Sequence, residues 1–136
     1  MVFADFGACR LPFGDGGGKD TCVMILVIGG RAQGKLAFAK KELGVTDFSD
    51  GTLGDKACLY NLQEAVREGA GKTALDAYLA RHPDAVILCD EVGCGIVPME
   101  KEERLWRENV GRLCCYLAER AERVYRVFCG IGTRIK

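Results

Sequence analysis

Eight consecutive residues have the types and spacing of a phosphate-binding loop. They match the pattern G-x-x-x-x-G-K between a predicted strand and a predicted helix, and they are Gly29, Gly30, Arg31, Ala32, Gln33, Gly34, Lys35 and Leu36. Glycines let backbone N–H groups approach phosphate oxygens, and the N-terminus of a helix adds a positive partial charge. These residues are therefore predicted to bind a nucleoside triphosphate. A glycine-rich turn followed by a solvated lysine is the alternative.

Lys35 is the predicted catalytic residue of this loop, because its ammonium group can reach the β- and γ-phosphates. We expect its side chain to be free in the protein without nucleotide. The next position usually holds Ser or Thr, whose hydroxyl helps to bind Mg²⁺, but here it is Leu36. Leucine cannot coordinate a cation. Phosphate binding is still expected without this hydroxyl. The loop alone does not predict efficient phosphoryl transfer.

A second chemical signal is a hydrophobic strand that ends in two carboxylates. Residues 86–91 read Val-Ile-Leu-Cys-Asp-Glu. In a parallel sheet, a strand end of this kind faces the phosphate loop. Asp90 is therefore the predicted ligand of Mg²⁺, and Glu91 is predicted to be catalytic, as a base or as the group that positions the nucleophile. The alternative is an acidic strand end that caps the following loop.

Apolar runs and turn signals predict the elements that position these residues. Residues 1–23 read as a flexible, glycine-rich tail, and residues 24–136 as one phosphate-loop kinase-like domain. The predicted strands are 24–28, 85–89 and 123–129, with a possible edge strand after 130; the predicted helical stretches are 34–43, 59–69, 75–82 and 100–121, with a loop at 45–55. Strands alternating with helices indicate an α/β protein, a P-loop NTPase-like three-layer fold whose small, mainly parallel sheet is flanked by helices.

Composition limits the classes of partner. The 136 residues include 19 Lys and Arg and 19 Asp and Glu, a formal net charge of zero. A balanced charge argues against nucleic-acid binding and against a polybasic membrane surface. The longest apolar run, residues 23–28, is far shorter than the roughly 20 residues that span a bilayer, and no signal peptide opens the chain. We therefore expect a cytoplasmic protein without membrane or nucleic-acid partners.

Eight cysteines and a single histidine are present. No C-x-x-C pair occurs, and most cysteines lie in apolar runs, where cysteine behaves as a small hydrophobic residue. We expect reduced thiols, with a metal or redox role as the alternative. The vicinal pair Cys114 and Cys115 is the place where oxidation is most expected. Arg104, Arg107 and Arg112 on the longest predicted helix could approach phosphates, but such charged faces are usually solvated.

The segment that follows the second strand resembles a family signature. Residues 91–98, Glu-Val-Gly-Cys-Gly-Ile-Val-Pro, are similar to the E-V-G-x-G-I-V-P motif of the adenosylcobinamide kinase/adenosylcobinamide-phosphate guanylyltransferase family of cobalamin synthesis. The resemblance continues in Trp-Arg-Glu at 106–108, Gly-Arg at 111–112, Cys-Gly-Ile at 129–131 and the phosphate loop. It implies a shortened family member, since the family's histidine-containing segment, which becomes guanylylated, has no counterpart. The single His82 precedes Pro83 and reads as a helix-end residue.

The resemblance implies a kinase that uses ATP or GTP with Mg²⁺ to phosphorylate a cobinamide-type acceptor, with guanylyl transfer left in doubt. It implies that Gly93, Gly95 and Pro98 belong to an acceptor loop. It also implies that the chains self-associate, and the family's usual assembly is a trimer. The main alternative is a non-catalytic nucleotide-binding family member that acts as a sensor or assembly subunit. A cysteine-based metal carrier is a third reading.

Overall fold

The computed structural model describes residues 23–93 and 95–136. The expected flexible tail over 1–23 lies outside the described residues except for Val23. The elements in chain order are β1 (Ile25–Gly29), α1 (Lys35–Glu42), β2 (Ser49–Asp50), β3 (Cys58–Tyr60), α2 (Leu62–Arg67), α3 (Lys72–Arg81), β4 (Val86–Asp90), α4 (Lys101–Arg120), β5 (Arg123–Phe128) and β6 (Ile131–Arg134). None of the helices among these described residues is long and apolar enough to cross a membrane.

The strands form one sheet of six, in the order β2-β3-β4-β1-β5-β6. All neighbouring strands pair in parallel except β5 and β6, which form an antiparallel hairpin at one edge. Parallel neighbours need a crossover between them, and helices supply most of these crossovers. The prediction of an α/β fold with a mainly parallel sheet is confirmed. The edge strand expected after residue 130 is β6.

Helices cover both faces of the sheet, which gives the three layers. In β1, Leu26 faces one apolar cluster while Ile25 and Val27 face the other. The cluster around Leu26 contains buried residues of α2, α3 and α4, and the second cluster contains Phe38 and Ala39 of α1. Because both faces are covered, the central strands are continuous apolar runs rather than alternations of apolar and polar residues.

The segment between α1 and α3 differs from the prediction. The expected loop over residues 45–55 contains the short strand β2, and Leu59, expected in a helix, lies in strand β3. Leu59 is buried beside Ile87 of β4. Strands of two or three residues have no measurable periodicity, so the sequence pattern predicts a loop where β2 lies and places Leu59 in the helix that follows. Asn61, with φ of 58°, separates β3 from the helix that follows.

Candidate functional site

The predicted phosphate loop connects the end of β1 to the start of α1. Gly29, the last residue of β1, lies so close to β5 that a Cβ atom there would be 2.5 Å from the Val127 carbonyl oxygen. Gly34, immediately before the helix, has φ of 87°, a left-handed conformation that glycine adopts without strain. The chain therefore turns sharply from strand to helix. The first N–H groups of α1, which have no acceptor within a helix, lie at this turn.

The turn between β5 and β6 braces this loop. The Gln33 side-chain oxygen accepts a hydrogen bond from the Cys129 N–H at 2.8 Å, and the Gln33 carbonyl accepts one from the Gly130 N–H at 2.7 Å. Cys129 and Gly130 have φ of 51° and 77°, the positive values that a two-residue hairpin turn of type I′ requires. Two residues of the Cys-Gly-Ile segment near the end of the chain thus contact the phosphate loop.

Lys35 is not free, and the expectation that it would be is wrong. Its side chain is almost fully buried, and its ammonium group lies 2.5 Å from the Asp90 carboxylate and 2.8 Å from the Gly30 carbonyl oxygen. The cause is strand register, because Gly29 of β1 pairs with Asp90 of β4. The carboxylate at the end of β4 therefore meets the lysine that follows β1. A buried ammonium group needs such partners, since desolvation of an unpaired charge is costly.

Glu91 lies at the carboxyl end of β4, next to the end of β1 where the loop begins. Its N–H donates to the Gly29 carbonyl at 2.8 Å, which extends the pairing of β1 and β4 by one residue. Its carboxylate lies 3.7 Å from the guanidinium group of Arg126 on β5. The structure thus joins Lys35 and Asp90 directly, whereas the carboxylate of Glu91, the next residue, lies beside Arg126.

Leu36 is half-buried and packs against the apolar cluster on the α1 side of the sheet. Among residues 23–93 and 95–136, no group of three or more His, Cys, Asp or Glu side chains could hold a metal ion. A Mg²⁺ ion brought by a triphosphate does not need such a group, because it takes one or two carboxylates together with phosphate oxygens and water. The Asp90 carboxylate, beside the glycine loop, fits that requirement.

Sequence reasoning missed Gln63, a buried residue of α2 that supports the strand end. Its side-chain oxygen accepts a hydrogen bond from the Asp90 N–H at 3.0 Å, and its carbonyl accepts one from the Trp106 indole N–H at 2.9 Å. Its amide nitrogen donates to Asn61 at 3.1 Å. Gln63 thereby links α2, α4 and the end of β4. A lone glutamine within an amphipathic helix carries no spacing signal that could have revealed this role.

Two arginines of α4 hold the predicted acceptor loop by its backbone. Arg107 donates to the carbonyls of Gly93 and Ile96 at 2.7 and 2.9 Å. Arg104 donates to the carbonyls of Pro98 and Met99 at 3.1 and 2.7 Å. These two side chains are therefore bound to the loop rather than solvated along a helix face. Gly93 and Gly95 are exposed, and Pro98 is half-buried.

Two cysteine side chains meet near the carboxyl end of β4, one from β4 and one from α4. The sulfur atoms of Cys89 and Cys114 are 3.5 Å apart, and within the described residues no cysteine forms a disulfide. The hydrogen bond between Cys114 and Cys89 lowers the pKa of Cys114. The same hydrogen bond, together with burial, raises the pKa of Cys89. Cys115, expected to be the oxidation partner of Cys114, is exposed.

Comparison with known proteins gives the relationship of this chain. Residues 45–135 match the family described as cobinamide kinase / cobinamide phosphate guanyltransferase. A stretch of 51 residues is 43% identical to the bifunctional adenosylcobalamin biosynthesis protein CobU of Salmonella typhimurium strain LT2. That stretch is 38% of this chain and 28% of the relative's length. Because the family match spans well over half of the sequence, the chain belongs to the cobinamide kinase / cobinamide phosphate guanyltransferase family.

Proposed function

We propose that this protein binds a nucleoside triphosphate at residues 29–36 and transfers its γ-phosphoryl group to a hydroxyl of a cobinamide-type acceptor. The observation that carries the proposal is the meeting of the Lys35 ammonium and the Asp90 carboxylate, 2.5 Å apart, beside a glycine loop and a helix N-terminus. Phosphoryl transfer depends on positioning and charge stabilisation, and these groups supply both. The family to which the chain belongs supports the same reaction class.

Lys35 has one donor left for a phosphate oxygen. An ammonium group has three N–H donors, and the contacts to Gly30 and Asp90 account for two of them. The bond to the Gly30 carbonyl keeps the ammonium at the loop when a triphosphate enters. The N–H groups at the start of α1 would bind the remaining phosphate oxygens.

Asp90 would hold the Mg²⁺ ion that accompanies the nucleotide, with phosphate oxygens and water completing the coordination. When bound, the ion would neutralise charge on the phosphates. When a triphosphate is bound, the phosphates replace part of the negative charge that Asp90 presents to Lys35. The carboxylate is then available to the cation.

Glu91 is the proposed base or positioning residue for the acceptor hydroxyl. Its backbone N–H donates to the Gly29 carbonyl, and its carboxylate lies 3.7 Å from the Arg126 guanidinium at the carboxyl ends of the central strands. In this proposal the loop of Gly93, Gly95 and Pro98 contacts the acceptor. Ile96, which is 95% exposed, gives the loop an apolar surface. Such a surface suits a large ring-shaped acceptor.

Guanylyl transfer through a histidine is not part of the proposal. The single His82 follows α3, and its carbonyl accepts a hydrogen bond from Ala85, just before β4. The proposed site is at the opposite end of β4, which a strand of five residues places roughly 15 Å away. His82 therefore serves as the helix-end residue that its position before Pro83 predicted.

A second candidate function is nucleotide binding without catalysis, as in a sensor or assembly subunit. Leu36 favours it, because its side chain packs into the apolar core and offers no hydroxyl to a cation.

If Asp90 and water compensate, nucleotide affinity should depend weakly on Mg²⁺ and turnover should be slow. Leu36→Ser should then tighten Mg²⁺-nucleotide binding and raise turnover.

The discriminating experiment follows label from the γ-phosphate of ATP or GTP to adenosylcobinamide, with and without Mg²⁺. Transfer of label that requires Mg²⁺ and increases in Leu36→Ser supports the kinase. Nucleotide binding without any labelled acceptor, in both wild type and Leu36→Ser, supports the non-catalytic candidate. Circular dichroism and thermal unfolding establish that the variant is folded before its turnover is compared.

A further inference from the structure

Cys89 and Cys114 are close enough to be joined. Cys89 lies in β4 directly before Asp90, and Cys114 lies in α4. Bonded sulfur atoms are about 2 Å apart. The two sulfurs, now 3.5 Å apart, therefore need to approach by only about 1.5 Å. Both thiols belong to the same packed cluster, so β4 and α4 already hold them against each other.

We propose that Cys89 and Cys114 form a reversible disulfide by exchange with a low-molecular-weight disulfide such as oxidised glutathione. Cys89 is fully buried, whereas Cys114 is half-buried. The external disulfide therefore reaches Cys114 first, because exchange requires direct access of the attacking sulfur. The pairing follows from tertiary structure and involves residues 25 positions apart, not the vicinal pair.

The exchange balances in two steps. The Cys114 thiolate attacks one sulfur of glutathione disulfide, which forms a mixed disulfide and releases one glutathione thiolate. Cys89 then loses its proton and attacks the Cys114 sulfur, which forms the protein disulfide and releases the second glutathione thiolate. Two protein thiols are oxidised and one glutathione disulfide is reduced. The two protons from the protein end on the two released glutathione molecules.

The disulfide would join two elements that border the proposed nucleotide site. β4 carries Asp90, and α4 carries Arg107, which holds the loop carbonyls of Gly93 and Ile96. The proposal itself concerns only the thiols and their packing, so it does not depend on the proposed function.

The test uses the full chain, reduced, desalted and equilibrated in buffers with increasing ratios of oxidised to reduced glutathione. The reaction is quenched with acid, remaining thiols are alkylated, and the protein is mapped by peptide mass spectrometry. We expect one pair of peptides joined through Cys89 and Cys114, and recovery of both thiols after treatment with dithiothreitol. In Cys114→Ala the joined pair should be absent, whereas in the matched control Cys115→Ala it should remain.

Thermal unfolding gives a second readout, because a cross-link restricts the unfolded chain. Oxidation should raise the Tm of wild type and Cys115→Ala by several degrees and leave that of Cys114→Ala unchanged. Three results of the wild-type peptide map would overturn the proposal: glutathione retained on Cys114 without a joined pair, Cys114 joined to a cysteine other than Cys89, or both thiols unmodified at the most oxidising ratio. These results are read on the wild-type protein, so they stand even if a variant fails to fold.

Discussion

Replacement of Asp90 by Asn should destabilise the protein while strengthening its binding of metal-free polyphosphate. The Lys35 side chain is 3% exposed and that of Asp90 is 17% exposed, so the pair lies between a buried and a surface salt bridge. Breaking a buried pair costs about 3–5 kcal/mol and breaking an exposed one less than about 1 kcal/mol. We therefore expect Asp90→Asn to lower the free energy of unfolding by about 2–3 kcal/mol, since the Gly30 carbonyl remains as a partner of the ammonium.

Replacement of Lys35, the other member of the ion pair, should cost less stability. In Lys35→Met the ammonium is removed and the remaining Asp90 carboxylate can still contact water, so we expect a loss of about 1 kcal/mol. Urea unfolding of wild type, the two single variants and the double variant gives the coupling energy, which should be at least about 1 kcal/mol with an unchanged m value. In Asp90→Asn, inorganic tripolyphosphate should bind about tenfold more tightly without Mg²⁺, because the ammonium is no longer shared. A loss below about 0.5 kcal/mol together with no coupling would refute the ion pair.

Two further predictions have matched controls. Gly29→Ala places a Cβ atom 2.5 Å from the Val127 carbonyl oxygen and should lower the free energy of unfolding by at least about 2 kcal/mol. The control Gly111→Ala lies in open space on α4 and should raise the free energy of unfolding by up to about 1 kcal/mol. Thermal unfolding checks both variants, and equal Tm values would contradict the packing of β1 against β5. Arg107→Ala removes two hydrogen bonds to loop carbonyls and should speed proteolytic cleavage near residues 93–98 severalfold. The control Arg112→Ala removes an exposed ion pair with Glu108 and should leave the cleavage rate unchanged. Equal cleavage rates in the two variants would show that Arg107 does not hold the loop.

The central part of the fold could be predicted because its signals are local. β1 and β4 are apolar runs bounded by Gly29 and Asp90, and α4 repeats apolar residues at helical spacing, so element types follow from pattern alone. The glycine-rich connection between β1 and α1 was predictable for the same reason, since its glycines and Lys35 lie within seven consecutive residues. In such segments, local propensity and tertiary packing favour the same structure.

The features that escaped prediction depend on contacts between distant segments. β3 is a strand only because Leu59 pairs beside β4, and its own residues carry too short a pattern to indicate this. Lys35 is paired only because strand register brings Asp90 next to it. The same holds for Arg107, whose loop contacts depend on how the chain folds back from β4 onto α4. Register and loop conformation are set by the assembled core, not by sequence spacing.

Equilibrium titration of ATP and GTP into wild type, Lys35→Ala and Lys41→Ala tests the central claim most directly. Lys41 lies on the same helix as Lys35 but is exposed, so its replacement removes the same charge from the same element without touching the loop. We predict that wild type and Lys41→Ala bind at least one of the two nucleotides with equal affinity, and that Lys35→Ala loses at least about tenfold, since a charge-assisted contact contributes roughly 1.5–3 kcal/mol. Unchanged nucleotide affinity in a folded Lys35→Ala variant, or no nucleotide binding by the wild type, would contradict the assignment of the site.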